Sequence, residues 1–286
     1  MFSTAQQALY RQQYQRQGYL VLPGFKSLAE VAALRARAEA IVAALHMSAQ
    51  RSVFSTDDQA RGSSDAEFLA SAESVHCFFE PEAFDVQGQL RQTPSASINK
   101  IGHALHDLDP VFDAFSHGVD LAVVADIVGL QAPQLWQSMH IFKPPDIGGE
   151  VRWHQDASFL ATAPDSVTGF WFALDDAHRD NGCLWVQPGG HLGPLRERFV
   201  RDGQATRMLA LDATPWPRAG EADTLPVEVP AGSLVVLHGL LPHWSAPNRS
   251  DRWRQAYTLH ATDGRATYAR DNWLQRPTLA LRGFVG

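Results

Sequence analysis

Lysine is nearly absent from this chain of 286 residues: Lys26, Lys100 and Lys143 are the three among 24 basic residues. With a net charge of −7, no broad basic face is left for nucleic acid or an anionic membrane. Cysteine is scarcer still. Cys77 and Cys183 can build neither a disulfide scaffold nor a cysteine-based zinc cluster. No apolar run approaches the ~18 residues of a membrane span. Met1 to Gln17 lacks the apolar stretch of a signal peptide, and Phe284-Val285-Gly286 is no peroxisomal address, so a cytoplasmic location is expected. No Gly-rich phosphate loop, repeat or low-complexity tract is present. What remains is an ordinary globular composition, 45% hydrophobic and 19% charged, with twelve histidines. A chain this long buries enough surface to fold without staples.

The first part reads helical. Ser27-Leu28-Ala29-Glu30 has the form of a capping box. After it Val31, Leu34, Ala38, Ile41 and Leu45 recur at spacings of three and four, one stripe of a helix. Residues 119–130 form a second helix that stops near Gly129. Residues 51–92 are polar and irregular, and could include a mobile flap. From about residue 133 short apolar runs (135–142, 168–174, 183–186, 234–237 and 254–260) alternate with turns such as Asp180-Asn181-Gly182, Pro188-Gly189-Gly190 and Pro230-Ala231-Gly232. Helices followed by many short strands, without β-α-β alternation, predict a mainly β fold: one antiparallel barrel braced by N-terminal helices. The expectation is a single domain over 1–286, with 1–132 mainly helical support and 133–265 the β core.

Trp153-His154-Gln155-Asp156 carries the first chemical signal. In a strand, residues i and i+2 share a face, so the imidazole and the carboxylate converge. That is half of a 2-His-1-carboxylate triad, which holds Fe(II) on one face and leaves the other open. By itself His-x-Asp is weak; a chain of this composition has about one by chance. A second, His178-Arg179-Asp180, runs into a tight turn and reads as a solvated hairpin. A third ligand should come from a later strand, and His243 follows the apolar run 234–237 after a short turn. Eleven residues on stands Arg254. Its guanidinium suits the distal carboxylate of a keto-acid, gripped by two parallel hydrogen bonds. Arg252 shares a strand face with it and is its rival.

His154, Asp156, a distal His243 and Arg254 at that spacing resemble the phytanoyl-CoA dioxygenase family of Fe(II)/2-oxoglutarate oxygenases. So do Asn181-Gly182 with Leu184, Pro188-Gly189 with His191, and Pro247-Asn248. Further matching stretches are Asn99-Lys100-Ile101-Gly102-His103, Gln137-Ser138-Met139, Gly148-Gly149-Glu150-Val151, Arg254-Gln255-Ala256-Tyr257 and Asn272-Trp273-Leu274-Gln275. The resemblance runs from about residue 95 to 275. It implies a double-stranded β-helix, or jelly roll, with iron at one mouth. It implies that His154, Asp156 and His243 bind the metal, and that Lys100, Met139, Trp171 and Arg254 line the 2-oxoglutarate site. It also implies consumption of O2 with release of succinate and CO2. Asp156 is present, which favours hydroxylation over halogenation.

Each assignment has a plainer reading beside it. Lys100 could lie on the surface, and Met139 and Trp171 could fill the core. His103, His106, His191, His238 and His260 read as hydrogen-bonded structural histidines. The function expected is a 2-oxoglutarate-dependent dioxygenase acting on a small metabolite. The rival readings are a metal-binding jelly roll without turnover and a zinc hydrolase. Coenzyme A is not expected on the substrate, since three lysines and no phosphate loop suit its charges poorly. The one arginine-rich stretch, 196–207, is the exception to test. Substrate contacts are expected from 51–92 and 192–225.

Overall fold

A computed structural model describes residues 2–45, 52–53, 66–203 and 205–285. Part of the segment expected to hold a flap, residues 51 and 54–65, lies outside the described residues. Two capped helices open the chain. Helix α1 spans Thr4–Gln17 and α2 spans Leu28–Ala43. In each, a serine (Ser3, Ser27) accepts from the N3 amide while the N3 side chain (Gln6, Glu30) reaches back to the cap. Buried Val31, Leu34, Ala38 and Val42 face the core from α2.

Among the described residues there are fifteen strands, the first of them lying between the two helices. The first eight are β1 (Tyr19–Leu22), β2 (Val75–Phe79), β3 (Ile98–His103), β4 (Pro133–Ile141), β5 (Val151–His154), β6 (Thr162–Ala163), β7 (Thr168–Ala173) and β8 (Leu184–Val186). The rest are β9 (Glu197–Asp202), β10 (Ala205–Ala210), β11 (Leu225–Val227), β12 (Leu234–His238), β13 (His243–Ser245), β14 (Ala256–Asp263) and β15 (Thr267–Tyr268). Seven pair antiparallel in the order β1-β12-β7-β14-β4-β3-β2. Four form a smaller sheet, β11-β8-β13-β5, and β9-β10 and β6-β15 are two-stranded additions. This is the expected jelly roll, with one difference. The half read as helical support also supplies β1, β2 and β3 to the large sheet. Four to six residues each, these strands are too short to show a period against the polar text around them.

The large sheet is buried on both faces. Phe170, Phe172, Tyr257 and Leu259 pack outward on Leu34, Phe112, Phe115 and Val124 of the helical layer. The intervening Trp171, Ala173, Val235 and Leu237 point inward against Leu184, Val186 and Val227 of the small sheet. Hence every residue of β7 and β14 is buried, and their sequences read as continuous apolar runs rather than alternations. Arg35 in α2 pairs with Asp175, just past β7, at 2.7 Å, and Arg37 with Asp109, the N-cap of the helix Pro110–Ser116, at 2.7 Å.

The turn before β12 latches this layer. Gly232 has φ +84°, and its carbonyl accepts from the Lys26 amide at 2.9 Å. A Cβ there would run into the Lys26 carbonyl oxygen. Gly232→Ala is therefore expected to destabilise the fold by about 1–3 kcal/mol, the usual cost of a strained backbone site, as read by urea unfolding.

Candidate metal centre and cosubstrate chamber

Strands β5 and β13 pair so that His154 stands directly opposite His243. Directly opposed residues share a face, and the two rings lie 4.0 Å apart, centroid to centroid. Asp156 follows His154 by two residues, in a single turn of 3-10 helix, Asp156–Ser158. Its Oδ1 is 3.6 Å from Nε2 of each histidine. Ligand atoms of the three residues all lie within 4.8 Å of one another. The other ring nitrogens are tethered: His154 Nδ1 donates to the Arg152 carbonyl at 2.7 Å, and His243 Nδ1 to the Leu241 carbonyl at 3.0 Å. That tautomer turns both Nε2 lone pairs toward the carboxylate, the form a metal needs.

The electrostatics agree with a cation site. Burial pulls the His243 imidazole down to about 4, so it is neutral near pH 7. Burial alone would raise the Asp156 carboxyl, but His260, His243 and His154 outweigh it and hold it well below the usual range. Asp156 Oδ2 is buried with no hydrogen-bond partner among the described residues. Two Nε2 atoms turned to the carboxylate, and a carboxylate oxygen without a partner among the described residues, fit a divalent iron bound on one face.

The register of the large sheet places the other candidates. Across its inner face Gly102, Met139, Thr258 and Trp171 stand in one row, on β3, β4, β14 and β7. Lys100 stands beside Ile141 in the next row. Lys100 and Met139 line the same cavity as His154 and Asp156. Lys100 is buried, 5.6 Å from the Phe78 ring, and burial pulls its ammonium down to about 7. The surface reading of Lys100 is thereby excluded. Arg254 and Trp171 lie together, the guanidinium carbon 5.6 Å from the ring, and are not among the residues lining that cavity. Arg254 is 1% exposed. It donates through Nη2 to Ser245 Oγ at 2.9 Å, while Nε and Nη1 have no partner among the described residues. A buried guanidinium with two idle donors calls for an anion.

The rivals separate cleanly. Arg252 is exposed and pairs with Asp180, which belongs to the second His-x-Asp. His178 sits on the surface 4.0 Å from Glu228. In the stretch 196–207, Arg196 is buried over Trp216, Arg198 pairs with Asp271 at 2.7 Å, and Arg201 donates to the Gly203 carbonyl. Arg196 also donates through Nη2 to Gln187 Oε1 at 3.3 Å, while its Nε and Nη1 have no partner among the described residues. Of the five histidines read as structural, His106 bonds Ser138, His191 the Gln15 carbonyl and His238 the Leu240 amide. His103 bonds Ser71 and lines the cavity. His260 stands 3.3 Å from Asp156 at the site itself. Sequence reading missed Ser245, Gly169 and Thr258. Ser245 was findable, being two residues past His243 and so on its face.

The family model for phytanoyl-CoA dioxygenase matches residues 14–256. The chain belongs to the phytanoyl-CoA dioxygenase family. It is 43% identical over 265 residues to a phytanoyl-CoA dioxygenase of Arabidopsis thaliana, covering 92% of this chain and 91% of that one. It is 44% identical over 277 residues to phytanoyl-CoA dioxygenase domain-containing protein 1 of Bos taurus, covering 94% of each. Among solved structures, the epimerase SnoN, in complex with Fe3+, alpha ketoglutarate and nogalamycin RO, superposes with a TM-score of 0.65 at 18% identity over 97% of this chain and 93% of that one. EctD from S. alaskensis superposes at 0.63 with 20% identity, over 100% and 88%. These two establish the jelly roll. Family membership makes the chain a 2-oxoglutarate-dependent non-haem iron dioxygenase, with Fe(II), 2-oxoglutarate and O2 as its reagents. Among the described residues no helix is long and apolar enough to cross a membrane.

The carboxylate has little room. A Cβ on Gly169 would lie 2.6 Å from Asp156 Oδ2. Gly169→Ala is expected to displace Asp156 and weaken Mn(II) binding by about 10–100-fold in calorimetry, with little change in melting temperature.

Proposed function

We propose that His154, Asp156 and His243 hold the Fe(II), that Arg254, Ser245, Trp171, Met139 and Lys100 receive 2-oxoglutarate, and that the enzyme hydroxylates a small metabolite that is not an acyl-CoA. The observation that carries this reading is the facing pair of Nδ1-tethered histidines over one buried carboxylate. Iron bound there supplies the centre at which 2-oxoglutarate is oxidatively decarboxylated by O2, giving succinate, CO2 and a hydroxylated product.

The chain's own residues do the rest. Arg254 offers its unpartnered Nη1, with the second hydrogen of Nη2, to the distal carboxylate of the cosubstrate, while Ser245 holds Nη2. Trp171 stacks behind the guanidinium and keeps water from it. Lys100 stands in the cavity as a cation whose charge an incoming carboxylate would restore, because burial disfavours it. Phe68, Phe78, Phe159, Phe199 and Trp273 line the cavity and exclude water over the metal face. Arg152 and Glu197 also line it, opposite in sign. An aromatic slot edged by balanced charge suits a compact, largely apolar substrate. Arg198, paired with Asp271, and Arg201, bonded to the Gly203 carbonyl, leave little to hold coenzyme A phosphates. Buried, unpaired Cys77 and Cys183 suit work in the reducing cytoplasm.

Two measurements test these assignments. Arg254→Ala is expected to raise KM for 2-oxoglutarate by about 30- to 1000-fold, with Arg252→Ala close to wild type. Equal effects would remove the clamp assignment. For the substrate, succinate release is followed with added Fe(II) against straight and branched acyl-CoA thioesters and against a metabolite extract. Slow uncoupled release with every thioester, and a product of mass +16 from the extract, is the expected pattern. Efficient turnover of a thioester, lost in Arg198→Ala/Arg201→Ala, would overturn the substrate class.

A further inference from the structure

We propose that His260, oriented by Gln137, is a positioning residue that fixes Asp156 for metal binding; the inference rests on the reading of Asp156 as a metal ligand. On the inner face of the large sheet one row holds Gln137, His260 and Gly169. His260 on β14 pairs directly with Gln137 on β4 and with Gly169 on β7. Gly169 leaves a gap in the row, and Asp156, from the small sheet's side, reaches into it: its Oδ2 lies 2.6 Å from where a Cβ would be, and His260 Nε2 is 3.6 Å from that same point. The carboxylate thus reaches across the glycine to the histidine, with His260 Nε2 3.3 Å from Asp156 Oδ1.

Proton placement follows from the partners. The Gln137 amide nitrogen is 3.0 Å from His260 Nδ1. An amide N–H donates, so Nδ1 accepts and the ring proton sits on Nε2, aimed at the carboxylate. Gln137 and His260 are each 6% exposed, and with Asp156 they line one wall of the cavity. His260 is not in the group whose ligand atoms all converge. It touches the carboxylate and stands outside the His154–Asp156–His243 set. Without it, Asp156 lies in a one-turn 3-10 segment with the ligand histidines as its remaining side-chain partners, free to swing about its χ torsions. A hydrogen bond from the second side chain holds one carboxylate orientation and keeps its lone pair on the metal side. Other charged and titratable groups near this row are Lys100 and His103, both cavity-lining; neither bonds Asp156 among the described contacts.

The test uses the whole protein with Co(II) as probe. Affinity is read by calorimetry, coordination by the visible spectrum, and fold by melting of the metal-free protein. His260→Ala is expected to weaken Co(II) binding by about 10–100-fold with the metal-free melting temperature nearly unchanged, and His260→Gln, which restores an N–H, to recover part of the loss. Gln137→Met is expected to weaken binding in the same direction, and decides the matter alone if His260→Ala does not fold. Co(II) affinity within threefold of wild type in both His260→Ala and Gln137→Met, while Asp156→Ala abolishes binding, would overturn this inference and leave the metal centre standing. Wild-type affinity in Asp156→Ala would remove the metal reading and this inference with it. A Co(II) spectrum in His260→Ala that has lost a nitrogen ligand would make His260 a ligand and end its positioning role.

Discussion

The site depends on one cross-strand pair. His154 and His243 stand opposite each other because β5 and β13 are antiparallel in that register. A slip of one residue would set a tryptophan opposite a histidine and carry one of the two imidazoles to the other face. Trp153 and Trp244 show that the alternate face is real. Their rings stack 6.2 Å apart, and Trp244 also meets Trp185 of β8 edge-on. The outer aromatic row therefore holds the register that the inner histidine pair requires. Ser245, two residues on and on the same face, then meets Arg254. One stretch of three residues, His243–Ser245, serves both the metal face and the cosubstrate clamp.

The second constraint is the cost of burying charge. Asp156, Arg254, Lys100 and Lys143 are all buried. Lys143 donates to the Gly149 carbonyl at 2.6 Å, and burial with the Arg254 charge drives its ammonium well below its ordinary range. Burial in turn raises the Glu80 carboxyl against opposition from Asn99, the Gly149 amide and Lys143. Charges held this way cost stability unless a ligand of opposite sign arrives. The fold meets that cost with an unusually thick core for its strands: helices on one face, the small sheet on the other, and no solvated face on β7 or β14. Rigid walls then hold the side chains where an anion and a dication would bring each to its preferred charge state.

How much of this was legible in the sequence follows from the same physics. The strands β7, β12 and β14 were readable because both faces are buried, and these with β4 and β8 because their apolar runs end at explicit turns. Helix α2 was readable from its capping box and stripe. Helix α1 was not named, since Tyr14 is its one buried residue and the rest is polar glutamine-rich text. Strands β2 and β3 were hidden by their shortness. At the site, residues with a fixed spacing along the chain (His154, Asp156, His243, Arg254) were legible. Residues that act through register were not. Gly169, Gln137 and His260 lie far apart in sequence, on three strands, and no single-strand period links them. His260 was classed with four structural histidines because a lone histidine in an apolar run carries no sign of its neighbour.

Glycine at 169 joins these levels. In sequence it is a small residue inside an apolar strand, which weakens the strand and invites a reason. In the fold it is the gap in an otherwise filled inner face, flanked by Phe170 outward and Thr168 before it. At the site the gap is occupied by a carboxylate from another sheet, so the two sheets meet there through Asp156 and His260 rather than through apolar contact. The large sheet thus contributes the base of the metal site even though the three candidate ligands come from the strand-and-turn segments of the small one. Alignment of the sheets and alignment of the ligand carboxylate are then a single property: any shift of β14 or β7 along its length would move His260 or close the gap, and Asp156 would follow.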